Sequence, residues 1–457
     1  MAMGKRKPRQ ESLFISTDRL TQSAGHPFYQ KLNTLLAEAG FDRWVESRCV
    51  EYYATEEMRG QPSLPPGVYF RMLFVGYFEN IDSQRGIAWR CADSLSLWQF
   101  LGIPAEKGTP DHSSMTNTRK RLPAEVFDEV FQFVLGIAAA KQLIAGKTVG
   151  VDSTTLEANA AMKSIVRRDT GEDWKAYVVR LMRAEGVIGP DETPSDEDVR
   201  RFDKKRKDKS ASNADWVSKT DADAKITKMK DGTTHLAYKA EHVVDLEADL
   251  ILAAEIRPAD ESDTATLADS LAAAQLNLTA SGSNAVIEEA AADKGYHAAA
   301  TIELCDFLDV RTYIPEPKLK EPARWADHPG AERQAAKNNR RRMERSKGKK
   351  LQRRRSEVVE RTFAHLCETG GSRRSHLRGL VNVTKRYVIA AAAHNLGRIL
   401  RKLTGVGKPK ALQGAAGGLN ALGKGLAARL KIVWAIFERM NAGLLREVKC
   451  DHVRLTA

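Results

Sequence analysis

Three carboxylates stand out by where they sit in the chain. Asp152 closes an apolar run, TVGVD, that reads as a β-strand. Asp293 follows the apolar segment AVIEEAAA, at a strand end, where α/β sheets commonly place their sites. Glu360 falls on the helix-patterned segment SEVVERTFAHL, directly behind a basic run. No His or Cys accompanies them, and an all-oxygen donor set selects hard cations, Mg²⁺ or Mn²⁺. Two such ions, about 3.5–4 Å apart, activate a water or a 3′-hydroxyl and stabilise the leaving oxygen in an in-line phosphoryl displacement. No covalent enzyme intermediate is needed, so no Tyr or Ser nucleophile is required. Taken singly, each residue is ordinary. A strand-end Asp is more often a turn or cap residue, and Glu360 alone would be a solvated helix residue paired with nearby arginines. The order strand, strand, helix, with basic residues before the helix, is what joins them.

The elements that must position these groups follow the same order. After the strand ending at Asp152, a polar, heavily charged stretch from about 163 to 233 reads as an insertion, partly helical and partly mobile. Strand patterns return at 235–245 and 250–259, then a helix from about 263 to 276. The AVIEEAAADKGY strand, a helix at 297–308 and a strand at 310–315 complete the series. Three strands followed by alternating helix and strand is the element order of an RNase H-like α/β core, a mixed sheet with flanking helices. Val359, Phe363 and Leu366 lie on one face of the helix bearing Glu360, and a longer apolar helix follows at about 384–402.

The expected organisation is a basic arm at 1–25, an all-α module at 26–145, the core at 146–404 and a helical tail at 405–457, with an amphipathic helix near 425–446. In the all-α module, Phe70, Leu73, Phe74, Tyr77 and Phe78 form the stripe of an amphipathic helix. Ser83 is placed to cap the next helix, which runs through Ile87 and Trp89, and Ser113 to cap one ending in Arg119, Lys120 and Arg121. Pro123 opens a longer helix with Phe127, Val130, Phe131 and Val134 inward. Two short helices with a basic end fit a helix-turn-helix-like DNA-binding module, and equally a plain helical bundle with solvated basic residues.

With 457 residues, 42% hydrophobic and 29% charged, the composition is that of a globular protein with a large core. The formal charge of +13 favours a polyanionic partner, most simply nucleic acid. Its five cysteines form no CxxC pair and no zinc-finger spacing, which speaks for a reducing cytoplasm without disulfides or structural zinc. No signal peptide is legible, and the longest apolar run, 387–393, is too short to span a bilayer.

Several ordered blocks then become recognisable. VGVDSTTLEANA, ADKGY, VVERTFAHLCETGGSRRSHLRGL and AAHNLGRILRKL resemble the DDE transposases of bacterial insertion sequences, of the IS-five superfamily and its IS-eleven-eighty-two-like branch. PPGVYFRMLFVGYFENIDSQRGIAWRCADSLSLWQFLG and TPDHSSMTNTRKRLP resemble the helical N-terminal part of the same proteins, so that the likeness covers roughly residues 26–405. It implies a pseudo-RNase H core that uses Mg²⁺ or Mn²⁺, as two ions, to cleave phosphodiesters at the terminal inverted repeats of a mobile genetic element and transfer the 3′-hydroxyl ends to target DNA. The partners implied are double-stranded DNA and a second copy of the chain, as a homodimer or higher oligomer. Asp152, Asp293 and Glu360 match the three catalytic and metal-binding acids. In the family the glutamate often belongs to a tyrosine, arginine, glutamate, lysine signature, and here the chain departs from it. Arg353 and Ser356 stand seven and four positions before Glu360, and Cys367 stands seven after. Glu357, with Arg353 four residues before it, is the alternative acid.

The remaining basic residues are read as DNA contacts: Arg119, Lys120 and Arg121; Arg340, Arg341, Arg342, Arg353, Arg354 and Arg355 from the run 333–355; and Arg361, Arg373, Arg374 and Arg378 in place of the missing signature charges. Phosphate contacts of this kind make binding steeply salt-dependent and largely sequence-independent. Lys239 and His242 read as a solvated sheet edge before a role in the site, Lys294 as either a phosphate contact or a surface lysine, and Trp325 as a residue packed on the core or stacked on a base. Asp221, Asp223 and Asp263 read as loop or capping residues, and His112 as a turn residue. Two rivals stay beside the active transposase: a decayed or domesticated derivative that binds without cutting, and another RNase H-like nuclease that does not join strands.

Overall fold

A computed structural model describes residues 25–53, 63–103, 108–207, 212–229, 232–317 and 328–412. The basic arm, Trp325, Cys450 and the helix expected near 425–446 lie outside the described residues.

Seven helices lead: α1 (Pro27–Glu38), α2 (Phe41–Cys49), α3 (Pro66–Phe78), α4 (Gln84–Ala92), α5 (Leu95–Leu101), α6 (His112–Arg121) and α7 (Ala124–Ala140). Local chemistry explains their starts. The Ser83 hydroxyl accepts from the Gly86 amide at 3.0 Å and opens α4, as expected. At α6 the cap is Asp111, whose carboxylate accepts from the Ser114 amide at 2.8 Å, instead of Ser113. His112 is thereby the first residue of that helix. Pro123 precedes α7, whose Phe127, Val130, Phe131 and Val134 are all buried. The amphipathic stripe read on α3 undersells it, because every residue from Tyr69 to Phe78 is buried. The reason is tertiary: α3 is enclosed by α2, α4, α5 and the long C-terminal helix α14 (Leu380–Thr404). One hydrophobic cluster runs from Phe28 to Val406, so these helices share their core with the sheet.

The sheet begins with β1 (Thr148–Glu157). The stretch expected as an insertion carries β2 (Ile165–Arg167), α8 (Trp174–Ala184), α9 (Asp196–Lys205), β3 (Trp216–Ser218) and β4 (Lys225–Lys228). β2 and β3 pair with each other, and α8 and α9 bury a small cluster of their own around Val178, Met182 and Val199. β4 instead joins the main sheet, antiparallel to β5, so this end of the stretch belongs to the core. Then come β5 (Thr234–Asp245), β6 (Leu250–Pro258), α10 (Asp263–Ala280), β7 (Glu289–Ala292), α11 (Ala299–Phe307), β8 (Arg311–Tyr313), α12 (Gly330–Glu344) and α13 (Ser346–Phe363). The strand order is β4-β5-β1-β7-β8, with β6 also paired to β5. β5 and β6 run antiparallel to their neighbours, whereas β7 and β8 are parallel to β1 and to each other.

The basic run is helical throughout, divided between α12 and α13 at Arg345. Its apolar and small residues make it so. Ala335 and Ala336 are buried, and Asn339 pairs with both backbone groups of Ile314 at 2.8 and 3.0 Å, which fixes α12 to the residue that follows β8.

Candidate active site

Asp152 and Asp293 are brought together by the parallel pairing of β1 and β7. Val151 sits opposite Ala292, so the next residue on each strand is the aspartate. The two carboxylates feel each other. Burial raises the pKa of Asp152 above its usual range, the Arg355 guanidinium and the Ser153 amide oppose that rise, and the Asp293 charge adds to it. Asp152 accepts from Arg355 Nη1 at 2.7 Å and from the Ser153 amide at 2.8 Å. Asp293 is more open and accepts from the Lys294 amide at 2.6 Å. The Lys294 side chain is exposed beside it.

Asp152 does not close its strand as the apolar pattern suggested, because β1 stays paired with β5 as far as Glu157, and α13 crosses the sheet over the two aspartates. Gln352 donates to the Ala292 carbonyl at 3.0 Å, Arg355 reaches Asp152, and the Thr362 hydroxyl meets His242 Nδ1 at 2.8 Å. Val359 and Arg355 lie against Gly150, where an added Cβ would come within 2.8 Å of the valine and 3.1 Å of the arginine. This glycine is what lets the helix lie so close to β1.

Helix geometry then separates the two candidate glutamates. At about 100° per residue, Gln352, Arg355, Val359 and Thr362 share the sheet-facing side. Arg354 and Arg361 leave on one flank and meet at Asp249, in the β5–β6 turn, at 2.9 and 3.6 Å. That turn adjoins the start of β1, since Asp245 pairs with Val149. Ser356 and Glu360 leave on the opposite flank from these arginines. Glu360 is exposed and accepts from the Ser356 hydroxyl at 2.7 Å. Glu357 points to solvent between Arg354 at 3.5 Å and Arg361 at 2.5 Å. Among the described residues no three His, Cys, Asp or Glu side chains converge tightly enough to hold an ion, so Glu360 lies on the site's flank without closing on the aspartates. The donor set still suits a hard cation: two adjacent carboxylates, one largely buried, with only oxygen ligands and a third carboxylate on the overhanging helix.

The basic residues fall into distinct places. Arg373, Arg374 and Arg378 gather at the far end of β1, where Arg373 bonds Glu368 at 2.6 Å, Arg374 approaches Glu157 at 3.6 Å and Arg378 donates to the Asn159 carbonyl at 3.2 Å. Arg340 pairs with Glu316 at 2.8 Å, Arg342 donates to the Thr312 carbonyl at 2.9 Å, and Arg341 and Arg353 are exposed. Arg355 is turned inward onto Asp152, away from the solvent face where a phosphate contact was expected. Lys120 is exposed at the end of α6, and the Arg121 guanidinium lies 4.5 Å from the centre of the Tyr53 ring. Cys367, at the signature lysine position, is buried, and burial pushes its thiol up to about 11.

Sequence reasoning missed the polar core beneath the site. Lys239 and His242 are not on a solvated edge, because β5 is paired on both sides and both residues are buried. His242 stacks on Phe363, 4.0 Å between ring centres, and meets the Tyr387 hydroxyl at 2.8 Å. On the opposite sheet face, Lys239 pairs with Asp263 at 2.8 Å and Glu241 at 3.4 Å. Fully buried Glu241 also accepts from Thr266 and Tyr296, each at 2.8 Å, and from Ser270. Asp263 reaches the Ser153 hydroxyl at 2.9 Å, tying this network to the residue next to Asp152. The signal available was the alternation in KAEH, with charge on both faces of a strand otherwise too apolar for an edge. Asp221 and Asp223 do act as loop residues, accepting from the backbone amides of Gly379 and Leu380 at 3.1 and 2.8 Å.

Residues 16–121 match the family model described as Transposase domain (DUF772), and residues 199–396 match the one described as Transposase DDE domain. Asp293 and Glu360 fall inside the second match, and Asp152 falls between the two. Among curated proteins and among solved structures, nothing matches the chain. No described helix is long and apolar enough to cross a membrane. Two transposase domain models in order, the second of DDE type, support a DDE transposase of an insertion sequence.

Proposed function

We propose that the chain cleaves phosphodiesters at the terminal inverted repeats of its element and transfers the freed 3′-hydroxyl ends to target DNA. The observation that carries this reading is the pair Asp152 and Asp293, brought side by side by the parallel register of β1 and β7, with Glu360 on the helix that crosses them. Three antiparallel strands followed by two parallel ones, joined through helices, favour an RNase H-like core, and the sequence blocks favour the IS-five superfamily. Asp152, Asp293 and Glu360 would hold the metal ions. Two divalent cations, when bound, supply positive charge that activates the attacking oxygen and stabilises the leaving one.

The chain's own residues do the rest. Burial of Asp152 makes its carboxylate dependent on a cationic partner, a role that Arg355 fills here. Gly150 admits α13 close to the sheet and so sets the reach of Glu360. Ser356 orients the Glu360 carboxylate. Arg373, Arg374 and Arg378 place positive charge beyond the end of β1, where a DNA backbone entering the site would run, and a second copy of the chain would hold the other DNA end.

The test is strand cleavage and joining by the purified protein on labelled duplexes taken from the DNA flanking its own gene, with Mg²⁺ or Mn²⁺. Cuts at the inverted-repeat ends and joined products are expected from the wild type and neither from Asp152→Ala. Cleavage without joining would favour a plain RNase H-like nuclease, and tight binding without cleavage a derivative that has lost catalysis.

A further inference from the structure

The pairing of β1 with β7 stops at Val151 and Ala292, one residue short of both aspartates, so the ladder itself does not hold the two carboxylates against each other. Each is instead oriented by the amide that follows it. Asp152 accepts from the Ser153 amide at 2.8 Å, and Asp293 from the Lys294 amide at 2.6 Å. An amide is fixed only as firmly as the backbone that carries it, and what fixes these two segments lies on the other face of the sheet. Side chains alternate along a strand, so Asp152 faces α13 and Ser153 faces α10. The Ser153 hydroxyl donates to Asp263, the first residue of α10, at 2.9 Å. After Asp293 the chain makes a short helical turn, Lys294–Tyr296, and the Tyr296 hydroxyl donates to Glu241 at 2.8 Å. Within that turn Gly295 lies against Asp263, where an added Cβ would come within 2.8 Å of Oδ2. Asp263 therefore touches both segments, the one behind Asp152 and the one behind Asp293.

One cation joins the two carboxylates of this network. Lys239 Nζ lies 2.8 Å from Asp263 and 3.4 Å from Glu241, and it donates to the Thr266 hydroxyl at 3.1 Å. Glu241 stands opposite Ser153 in the pairing of β1 with β5, and both Glu241 and Tyr296 are fully buried. Burial and the charges of Glu241 and Asp263 hold the Tyr296 hydroxyl well above its ordinary pKa, so it keeps its proton and donates. A buried polar network with its members satisfied is stiff, because any shift leaves a charge or a donor unpaired in a place that water does not reach.

We propose that Asp263, backed by Lys239 and Glu241, is a positioning group for the metal site: through Ser153 and the Lys294–Tyr296 turn it sets the separation of the Asp152 and Asp293 carboxylates. None of the three touches the reacting atoms. The proposal rests on the reading of Asp152 and Asp293 as a metal-binding pair, and its test separates the two.

Full-length wild type, Ser153→Ala, Ser153→Thr, Tyr296→Phe and Tyr238→Phe, freed of divalent metal, would be compared by calorimetric titration with Mn²⁺ and by melting temperature. The binding counted is that which Asp152→Asn removes. Ser153→Ala and Tyr296→Phe keep both amides and every carboxylate. Each should weaken Mn²⁺ binding at least about 10-fold, the lower end of what partners behind metal-binding side chains contribute. Ser153→Thr keeps the hydroxyl and should bind as the wild type does. Tyr238→Phe is the matched comparison, since it removes the same group from another buried carboxylate, Asp221, which Tyr238 meets at 2.8 Å. It should lower the melting temperature as Tyr296→Phe does and leave Mn²⁺ affinity unchanged, which separates positioning from loss of stability. Ser153 is partly exposed, so its variants carry the test if Tyr296→Phe does not fold. Variants that melt lower but bind Mn²⁺ like the wild type would make the network purely structural and overturn the proposal. Equal weakening by Ser153→Ala and Ser153→Thr would overturn it too, because the hydroxyl would then not be what matters. A wild type that binds no Mn²⁺ would overturn the metal-binding reading and this proposal together, whereas binding that Asp152→Asn abolishes and Ser153→Ala leaves intact overturns this proposal alone.

Discussion

Replacing Arg355 by Gln removes the cation that neutralises Asp152, at 2.7 Å, in a place where both groups are largely buried. At an effective dielectric constant of about 20, the Coulomb attraction at that distance is about 6 kcal/mol, and desolvation offsets part of it. Removing one partner leaves the other buried and uncompensated, which costs about 3–5 kcal/mol. Asp152→Asn should cost a similar amount for the same reason. The double variant should cost clearly less than the sum, with a coupling of about 1–3 kcal/mol, because no orphaned charge is left. Urea unfolding of the four proteins, without divalent metal, gives these values directly. Mn²⁺ should then stabilise Arg355→Gln more than wild type, since the cation meets a carboxylate pair that no arginine already occupies. Additivity within about 0.5 kcal/mol, or a cost below about 1 kcal/mol for Arg355→Gln, would refute the claim that Asp152 depends on a cationic partner.

Four further outcomes follow from the same geometry. Glu360→Gln should lower strand cleavage at least about 10³-fold, as loss of a group acting on the transition state does, whereas Glu357→Gln should stay within a few-fold, being held by Arg354 and Arg361 on the other side of the helix. Gly150→Ala should destabilise the fold by about 1–3 kcal/mol and depress cleavage, because its Cβ would press on Leu246 and Val359 at 2.7 and 2.8 Å; urea unfolding and the cleavage assay read the two effects. Glu241→Ala should cost about 3–5 kcal/mol in urea unfolding, since it leaves Lys239 buried without its inner partner. His365 is held to about 4 by burial and the nearby Lys408 and arginine charges. Its folded pKa lies below its unfolded one, so the stability it contributes is present above about pH 6.5 and is lost as pH falls toward about 4. Because His365 is partly exposed, solvent screening holds the loss to about 1–2 kcal/mol, and His365→Asn should flatten that part of the curve of stability against pH.

Much of the site was readable without a structure because its parts are local. An apolar strand leading to Asp152, another leading to Asp293 and a helix bearing Glu360 are periodic patterns, and periodicity survives in sequence, although it did not show that β1 continues past Asp152 to Glu157. The caps at Ser83 and Pro123 were legible for the same reason, and the choice of Asp111 over Ser113 shows the limit, since both residues are good caps and only the backbone decides between them. The charge of the basic run was visible, but its division into α12 and α13 was not, because that depends on Asn339 finding Ile314 and on Gly348 lying against the backbone of Arg342. Contacts between residues far apart in the chain were settled by tertiary structure alone. Asp152 and Asp293 become neighbours through strand register, Arg355 turns inward because α13 crosses above Gly150, and Lys239 is buried because β5 has partners on both sides. Ser153 and Tyr296 reach one buried network from segments far apart in the chain. Residue types and their spacing determined which groups could do chemistry in this protein. Which of them face one another, and which charges are paired, was decided by packing, since hydrophobic burial brings distant segments together with little regard for the polar groups they carry.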